Sequence, residues 1–181
     1  MFAKRLFFCY SMYMKQELQD QLIAKYPKIF KYLGYIDCGD GWYTLIDTLC
    51  DSIQRLIDHK ESMRVLDISH NERVQAALDG NLQPLKDYYA HLGNFDEWVD
   101  YSMKQGLSEV PDPIEQVVAL QVKEKFGGLR FYVHGGNEYI LGMIRMTERL
   151  SMATCEVCGN PGLRRSGNWI STLCDEHAKE K

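Results

Sequence analysis

Four residues near the C-terminal end of the chain have the types and the spacing of a metal site. Cys155 and Cys158 are separated by two residues, and Cys174 and His177 repeat that spacing after a further fifteen residues. Thiolate and imidazole groups in two close pairs across a loop of this length are typical of tetrahedral zinc sites. Because four protein ligands leave no coordination position for water, we predict a structural zinc ion rather than a catalytic one.

A second set of residues lies around Gly127 and Gly128, in the stretch VKEKFGGLRFYVHGG. Two glycines between alternating runs predict a tight β-hairpin, in which we expect Phe126 to pair with Leu129. In this register one face of the hairpin is mostly apolar, and the opposite face carries cations and aromatic rings. We call the residues on that opposite face the cationic face: Lys123, Lys125, Arg130, Tyr132 and His134.

The cationic face has the chemistry of an anion-binding site. Lysine and arginine form charge-assisted hydrogen bonds with phosphate oxygens, and a tyrosine ring can stack against a planar group. We therefore predict that this face binds a small anionic, nucleotide-like ligand. The alternative, which the sequence leaves open, is that the cations are solvated or paired with acidic side chains of the body.

The formal net charge of −4 is distributed unevenly along the chain. Residues 37–112 contain 15 acidic and 6 basic side chains, whereas residues 114–150 contain 4 acidic and 5 basic ones. Binding of double-stranded nucleic acid needs an extended basic surface, so the sequence argues against a duplex partner. The acidic middle of the chain favours a different alternative, in which it covers a basic surface on another protein.

The segment that carries the metal ligands suggests a third possible function, the binding of single-stranded nucleic acid. Arg164, Arg165 and Trp169 lie between the two ligand pairs, where they can contact a phosphate and stack on a base of single-stranded nucleic acid. Residues 155–181 contain 4 acidic and 4 basic side chains, so the segment is not a basic finger. We favour the interpretation that it docks on the body, with Trp169 and Leu173 as a small core.

These residues need a scaffold, and apolar periodicity together with capping patterns predicts one that is mainly helical. The strongest helix covers residues 42–59, where apolar side chains recur at helical spacing and Asp40 is the candidate N-cap. Capping boxes predict two further helices that begin at Ser69 and Asn94. Other patterns predict helices over residues 15–26, 82–91 and 138–150. The predicted fold class is α+β: a mainly helical body around a small antiparallel hairpin, followed by a zinc-ribbon-like module.

We divide the chain into a poorly ordered leader at residues 1–14, an α+β domain at residues 15–150 and a zinc-binding module at residues 151–181. No apolar run approaches the roughly 20 residues that span a bilayer, and the leader lacks the features of a secretory signal. Six cysteines without a plausible disulfide pattern then indicate a reducing cytoplasm. No motif of a catalytic nucleophile, a phosphate-binding loop or a catalytic metal is present, so we predict no enzymatic activity.

Four stretches carry a resemblance to known proteins. In chain order they are KYPKIF, CGDGWYTLIDTLC, VKEKFGGLRFYVHGG and the tail with its two ligand pairs. They resemble small, largely uncharacterised proteins encoded by tailed bacteriophages and prophages, over residues 26–50 and 117–177. The tail has Gly167, Asn168 and Trp169 where that family has Gly-Trp. The resemblance implies a phage accessory protein in the cytoplasm of an infected bacterium, and it implies no established activity.

Our leading hypothesis is a non-enzymatic accessory protein of the counter-defence type that sequesters an anionic ligand on the cationic face. One alternative is an inhibitor of a host nucleic-acid-binding or defence protein. Another is a zinc-dependent protein that binds single-stranded nucleic acid. The sequence leaves the identity of the ligand and a homo-oligomeric assembly open.

Overall fold

The computed structural model describes residues 13–167 and 169–180. The first part of the chain forms α1 (Gln16–Lys25), a 3₁₀ turn (Asp40–Trp42), α2 (Tyr43–Leu78), α3 (Gln83–Tyr89) and α4 (Phe95–Gln105). The second part forms β1 (Val118–Lys125), β2 (Gly128–His134), α5 (Glu138–Ser151), β3 (Leu163–Arg165), β4 (Ser171–Leu173) and α6 (Asp175–Ala178). The α+β class is confirmed, since helices dominate and β1 pairs with β2 in a small antiparallel sheet.

The described residues divide into two compact units. The first unit contains the residues up to Leu56 and from Glu115 onward, and the second unit is Ile57–Ile114. The predicted domain boundary between residues 150 and 151 falls inside the first unit, which holds both the hairpin and the metal-ligand cluster. Residues 1–12 of the predicted leader lie outside the described residues, whereas Met14, placed at the end of that leader, is buried. Within the described part of the chain, no helix is long and apolar enough to cross a membrane.

Helix α2 is longer than predicted and extends to Leu78. Ser69, predicted to begin a new helix, lies inside α2 and caps nothing. The reason is that residues 43–78 contain neither glycine nor proline, so nothing in the backbone stops the helix. The helix ends at Leu78, and Gly80, two residues further on, has a φ of +97°. There the N–H groups of Gly80 and Asn81 donate to carbonyls of the last turn, as in a Schellman motif.

The second unit packs a small apolar cluster of its own. The cluster consists of Val74, Ala77, Leu85 and Val99, and Tyr89 and Met103 pack against it. The predicted start of a helix at Asn94 is confirmed, because α4 begins at the next residue. The Asn94 amide donates a hydrogen bond to the Glu97 carboxylate over 2.8 Å, but the Asn94 side chain accepts no backbone N–H, so the predicted capping box itself does not form.

The core of the first unit is made by apolar side chains from α1, the loop and 3₁₀ turn that follow it, α2, the hairpin with the residue before it, and α5. Its largest fully buried members are Leu22, Ile29, Ile36, Trp42, Ile46, Ile53, Val117, Val122, Leu129 and Ile140. Full burial of such a side chain stabilises a fold by about 1.5–3 kcal/mol. The hairpin therefore forms one wall of this core and is held firmly on its apolar face.

The hairpin turn differs from the prediction by its register. Lys125 pairs with Gly128, so the turn residues are Phe126 and Gly127, and the predicted pairing of Phe126 with Leu129 is wrong. Both turn residues have positive φ, +53° for Phe126 and +76° for Gly127, which is the type I′ geometry that matches strand twist. From Gln121 to Lys125, each residue of β1 meets a partner two positions away from the predicted one, and a β-bulge interrupts the pairing between Ala119 and Gln121. A shift of two residues leaves every side chain on its predicted face.

The outer edges of the hairpin are also hydrogen-bonded. On β2, the N–H groups of Leu129 and Phe131 donate to the Ser151 hydroxyl and the Glu148 carboxylate of α5, at 2.8 and 3.0 Å. On β1, Asp37 forms a parallel bridge to Lys123. These bonds fix the position of the cationic face relative to the rest of the first unit.

Candidate metal centre and cationic face

The four predicted metal ligands lie together. The sulfur atoms of Cys155, Cys158 and Cys174 and a ring nitrogen of His177 all lie within 4.8 Å of one another. The Cys158 and Cys174 sulfurs are 3.8 Å apart, and His177 Nδ1 is 3.6 Å from the Cys155 sulfur and 3.2 Å from the Cys174 sulfur. Among the described residues, no other group of three or more His, Cys, Asp or Glu side chains lies close enough together to hold a metal ion.

Two of the three pair distances given above match edges of a coordination tetrahedron. With bonds of about 2.3 Å to sulfur and 2.0–2.1 Å to nitrogen, a tetrahedral zinc ion separates two sulfur ligands by about 3.8 Å and a sulfur from a nitrogen by about 3.6 Å. Two of the three distances reproduce these values and the third is slightly shorter. A donor set of three thiols and one imidazole Nδ1 at this spacing can therefore hold one ion between them.

The local backbone favours negative charge on the first sulfur. Burial tends to raise the pKa of Cys155, but backbone N–H groups of Cys174, Cys158 and Val157 outweigh it and lower the pKa. Burial and the two neighbouring thiols raise the pKa of Cys158 to about 11. Thiolates this close repel one another, and a cation between them would remove that repulsion.

The turn that presents Cys155 and Cys158 rests on residues 38–42, the stretch CGDGW, which we call the docking segment. The N–H of Gly41 donates to the carbonyl of Glu156 over 2.8 Å. The N–H of Gly39 donates to the buried Glu156 carboxylate over 3.1 Å. The Trp42 indole donates to the Thr154 carbonyl over 2.9 Å. The backbone of the metal-ligand turn is thus hydrogen-bonded directly to the backbone that precedes α2.

Only glycine fits at two positions of the docking segment. A Cβ atom on Gly41 would lie 2.2 Å from the Cys155 carbonyl oxygen and 2.5 Å from the Gly159 nitrogen. A Cβ atom on Gly39 would lie 2.3 Å from the Glu156 carbonyl oxygen. Sequence reasoning missed this contact, although two glycines one residue apart before a helix are a signal for close approach of another backbone.

Asp40 does not cap α2 as predicted. Its carboxylate accepts a hydrogen bond from the Lys15 backbone N–H over 2.8 Å and lies 3.0 Å from the Lys15 ammonium. Asp40 therefore ties the start of α1 to the docking segment, because the 3₁₀ turn that it begins leaves its side chain pointing toward α1. The prediction that Trp42 belongs to the core is confirmed, since its side chain is fully buried.

A second contact joins the metal-ligand segment to the hairpin turn. Arg164 Nε donates to the Phe126 carbonyl over 3.1 Å, and the Thr172 hydroxyl donates to the Gly127 carbonyl. Leu173 is buried with Cys155 and Cys174, as expected for a docked module. The placement of Trp169 in that small core is wrong, because 59% of its surface is exposed.

The cationic face keeps four of its five predicted members together. Lys123 lies directly opposite Arg130, Lys125 lies opposite Gly128, and the Lys123 ammonium is 5.8 Å from the centre of the Tyr132 ring. Within residues 13–167 and 169–180, no carboxylate forms an ion pair with Lys123, Lys125 or Arg130. The pairing of these cations with acids of the body, the alternative considered from the sequence, is not seen there.

The last predicted member of the cationic face, His134, occupies a different position. It lies four residues beyond Arg130, about 13 Å along β2, and its Nε2 is 3.1 Å from the carboxylate of Glu115. His134 is therefore placed beside an acidic side chain rather than beside the other cations. Arg130 itself donates one guanidinium N–H to the Leu129 carbonyl over 2.7 Å, which holds the planar group beside the hairpin turn.

Comparison with protein-family models, curated proteins and solved structures finds no match to this chain. The function is therefore inferred from the geometry of its own residues.

Proposed function

We propose that Cys155, Cys158, Cys174 and His177 hold one structural zinc ion. The donor set supports zinc, because thiolates with imidazole select this metal over magnesium or calcium, which prefer oxygen ligands. The mutual proximity of the three sulfur atoms and the His177 nitrogen, all within 4.8 Å of one another, supports it as well. Metal analysis of protein purified without chelators should find close to one zinc per chain.

The zinc ion would position the cationic face rather than take part in chemistry. The bound ion would order the segment from Cys155 to His177, and that segment donates hydrogen bonds to the carbonyls of Phe126 and Gly127. Its contribution to folding is on the order of 10 kcal/mol, as in small zinc domains. A folded module then holds the hairpin turn, and the turn sets the position of Lys125.

We further propose that the protein is a non-enzymatic phage accessory protein that captures a small phosphorylated, nucleotide-like molecule in the cytoplasm of its host. The observation that carries this proposal is the set of three cations on neighbouring strand positions without a described carboxylate partner. Like charges directly opposite each other destabilise a sheet. A bound phosphate would remove that repulsion and accept charge-assisted hydrogen bonds from Lys123, Lys125 and Arg130.

The test is to identify what the purified protein carries and to change Arg130. Heating protein purified from bacteria should release a phosphorylated compound that mass spectrometry can identify. Arg130→Ala should weaken binding of that compound at least tenfold, about 1.4 kcal/mol, because the guanidinium can grip phosphate with two N–H groups. Calorimetric titration gives the affinity, and thermal melting should show little change.

Arg145→Ala is the matched control, since Arg145 is an exposed arginine on α5 outside the cationic face. It should bind the compound as the unchanged protein does. If Arg130→Ala unfolds the protein while its folded fraction binds normally, Arg130 is structural and the assignment fails. The proposal also fails if no phosphorylated compound is released and inorganic pyrophosphate does not bind.

The second unit supports a second candidate function, the inhibition of a host protein. On α4, Trp98 and Tyr101 are exposed and their rings lie 6.1 Å apart, beside exposed Asp96, Glu97 and Asp100. Aromatic side chains among acids suit a partner surface that is basic and partly apolar. A host protein should then co-purify at low salt and be lost from a Trp98→Ala, Tyr101→Ala variant. Retention by this variant would exclude α4 as the contact.

A further inference from the structure

A cavity of about 500 Å³ lies between the hairpin turn and the loop that joins β3 to β4. It is lined by Glu124, Lys125, Phe126, Gly167, Trp169 and Ile170. Phe126 and Trp169 keep 60% and 59% of their surface exposed, although they line the same opening. Single exposed aromatic rings are common, but two that converge on one cavity of this size indicate a site for a small molecule.

The backbone at Phe126 is strained in a way that its side chain does not explain. In the described part of the chain, Phe126 is the only residue other than glycine with a positive φ, at +53°. Asparagine or glycine adopts this conformation with less strain, and both are favoured at this position of a type I′ turn. A large aromatic ring at a strained and exposed position suggests that the ring is kept for a contact outside the fold.

The strained turn is nevertheless held rigidly. The Phe126 carbonyl accepts from Arg164, and the Gly127 carbonyl accepts from Thr172. The Gly127 N–H donates to the Glu124 carboxylate over 2.6 Å. These three bonds fix the backbone on both sides of the Phe126 ring, so the wall of the cavity is preformed rather than assembled by a ligand.

Lys125 connects the cavity to the cationic face. Its ammonium lies 5.6 Å from the centre of the Phe126 ring, and its side chain lines the cavity. On the strand it is two residues from Lys123, which lies opposite Arg130. A ligand with a planar ring and a phosphate group could therefore contact aromatic walls and cations at the same time.

We infer that this cavity binds the nucleobase of a mononucleotide, with the base against Phe126 and Trp169 and the phosphates toward Lys125 and Arg130. This inference rests on the proposed capture of a phosphorylated ligand and adds the chemical class of its uncharged part. Stacking on aromatic side chains tolerates any base, because every base has a π face. The phosphates then supply most of the charge-dependent affinity.

The test uses Phe126→Asn, which removes the ring and places the favoured Asn–Gly pair in the turn. The protein should melt at the same or a higher temperature and bind nucleoside triphosphates at least tenfold more weakly. Its affinity for inorganic pyrophosphate should not change. The probes are ATP, GTP, CTP, UTP and pyrophosphate, and the control is Tyr139→Asn, which removes an exposed ring outside the cavity.

Tryptophan fluorescence provides a second measurement. Trp42 is fully buried, so in a Trp98→Phe background the remaining exposed tryptophan is Trp169. The bound nucleoside triphosphate should quench its emission, whereas bound pyrophosphate should not.

The outcomes separate the two proposals. Unchanged triphosphate affinity in Phe126→Asn, or no quenching of Trp169, overturns the base site and leaves the anion site standing. Triphosphate binding that survives Arg130→Ala but is lost in Phe126→Asn supports the base site and overturns the anion site. Failure of all four triphosphates to bind overturns the base site even if pyrophosphate binds. An oligonucleotide that binds far more tightly than any mononucleotide, with steep salt dependence, shows a strand-binding surface instead.

Discussion

Gly41→Ala should separate the metal-ligand segment from the body of the protein. The added methyl group would lie 2.2 Å from the Cys155 carbonyl oxygen, 2.5 Å from the Gly159 nitrogen and 2.8 Å from the Cys158 nitrogen. All three atoms belong to the backbone of the turn that presents the metal ligands, so no flexible side chain can move aside. The turn has to shift, and the hydrogen bond from Gly41 to Glu156 breaks with it.

The expected cost lies at or above the upper end of the ~1–3 kcal/mol range for overpacking. A loss of about 3 kcal/mol lowers the melting temperature of a protein of this size by roughly 6–12 °C. Metal should also be released faster to a coloured chelator, because the ligand turn loses its support. Differential scanning calorimetry and the chelator assay measure these two effects.

Gly34→Ala is the matched control for this prediction. No heavy atom lies within 4 Å of a Cβ atom at Gly34, and its φ is outside the positive range. Its melting temperature and metal release should stay close to those of the unchanged protein. If Gly41→Ala behaves like this control, the docking segment does not hold the metal-ligand turn, and the contact in the structure is dispensable.

The metal ligands and the hairpin could be predicted from the sequence because their signals are local. The spacing of Cys155, Cys158, Cys174 and His177 follows from coordination chemistry and needs no knowledge of the rest of the fold. The face on which each strand side chain lies was predicted correctly although the register was wrong, because a shift of two residues preserves the alternation of side chains. The capping-box pattern at Ser69 gave a wrong prediction, because α2 has no glycine or proline that would end it before this residue.

The contacts between distant segments could not be predicted in this way. Gly39 and Gly41 are needed because of atoms more than a hundred residues away in the sequence. Asp40 has the residue type and position of an N-cap, but its carboxylate is bound by the backbone N–H and the ammonium of Lys15 at the start of α1. Trp169 was assigned to a core because of its size, and the structure exposes it at a cavity wall. Non-local packing decides such positions, and a single sequence carries no direct record of it.

Cys174→Ser should remove the metal and unfold the C-terminal segment while α1, α2 and α5 remain folded. The core of this segment consists of Cys155, Leu173 and Cys174, with Val157 and Ala178 packed against it. Two of its three buried members are metal ligands, so without the ion the segment has almost no core. Structural zinc binds with an apparent free energy of about 10–16 kcal/mol, and loss of one ligand removes a large part of this contribution to folding.

The variant should contain far less zinc than the unchanged protein, and trypsin should cut it quickly after Arg164 and Arg165. In the folded segment these arginines lie in β3, where Arg164 is bonded to Phe126 and Arg165 is paired with Asp175. Far-ultraviolet circular dichroism should retain most of its helical signal. Time-resolved proteolysis with mass spectrometry shows whether cleavage starts in this segment.

Cys50→Ala controls for the loss of a thiol. Cys50 is buried in α2, far along the chain from the ligand cluster, and burial raises the pKa of its thiol, so it stays protonated and uncharged. This variant should keep one zinc per chain and resist trypsin at Arg164. A Cys174→Ser protein that binds a full equivalent of zinc and resists trypsin equally well would remove Cys174 from the ligand set. Loss of zinc without faster cleavage would instead mean that contacts with the docking segment and the hairpin turn hold the segment folded without the metal.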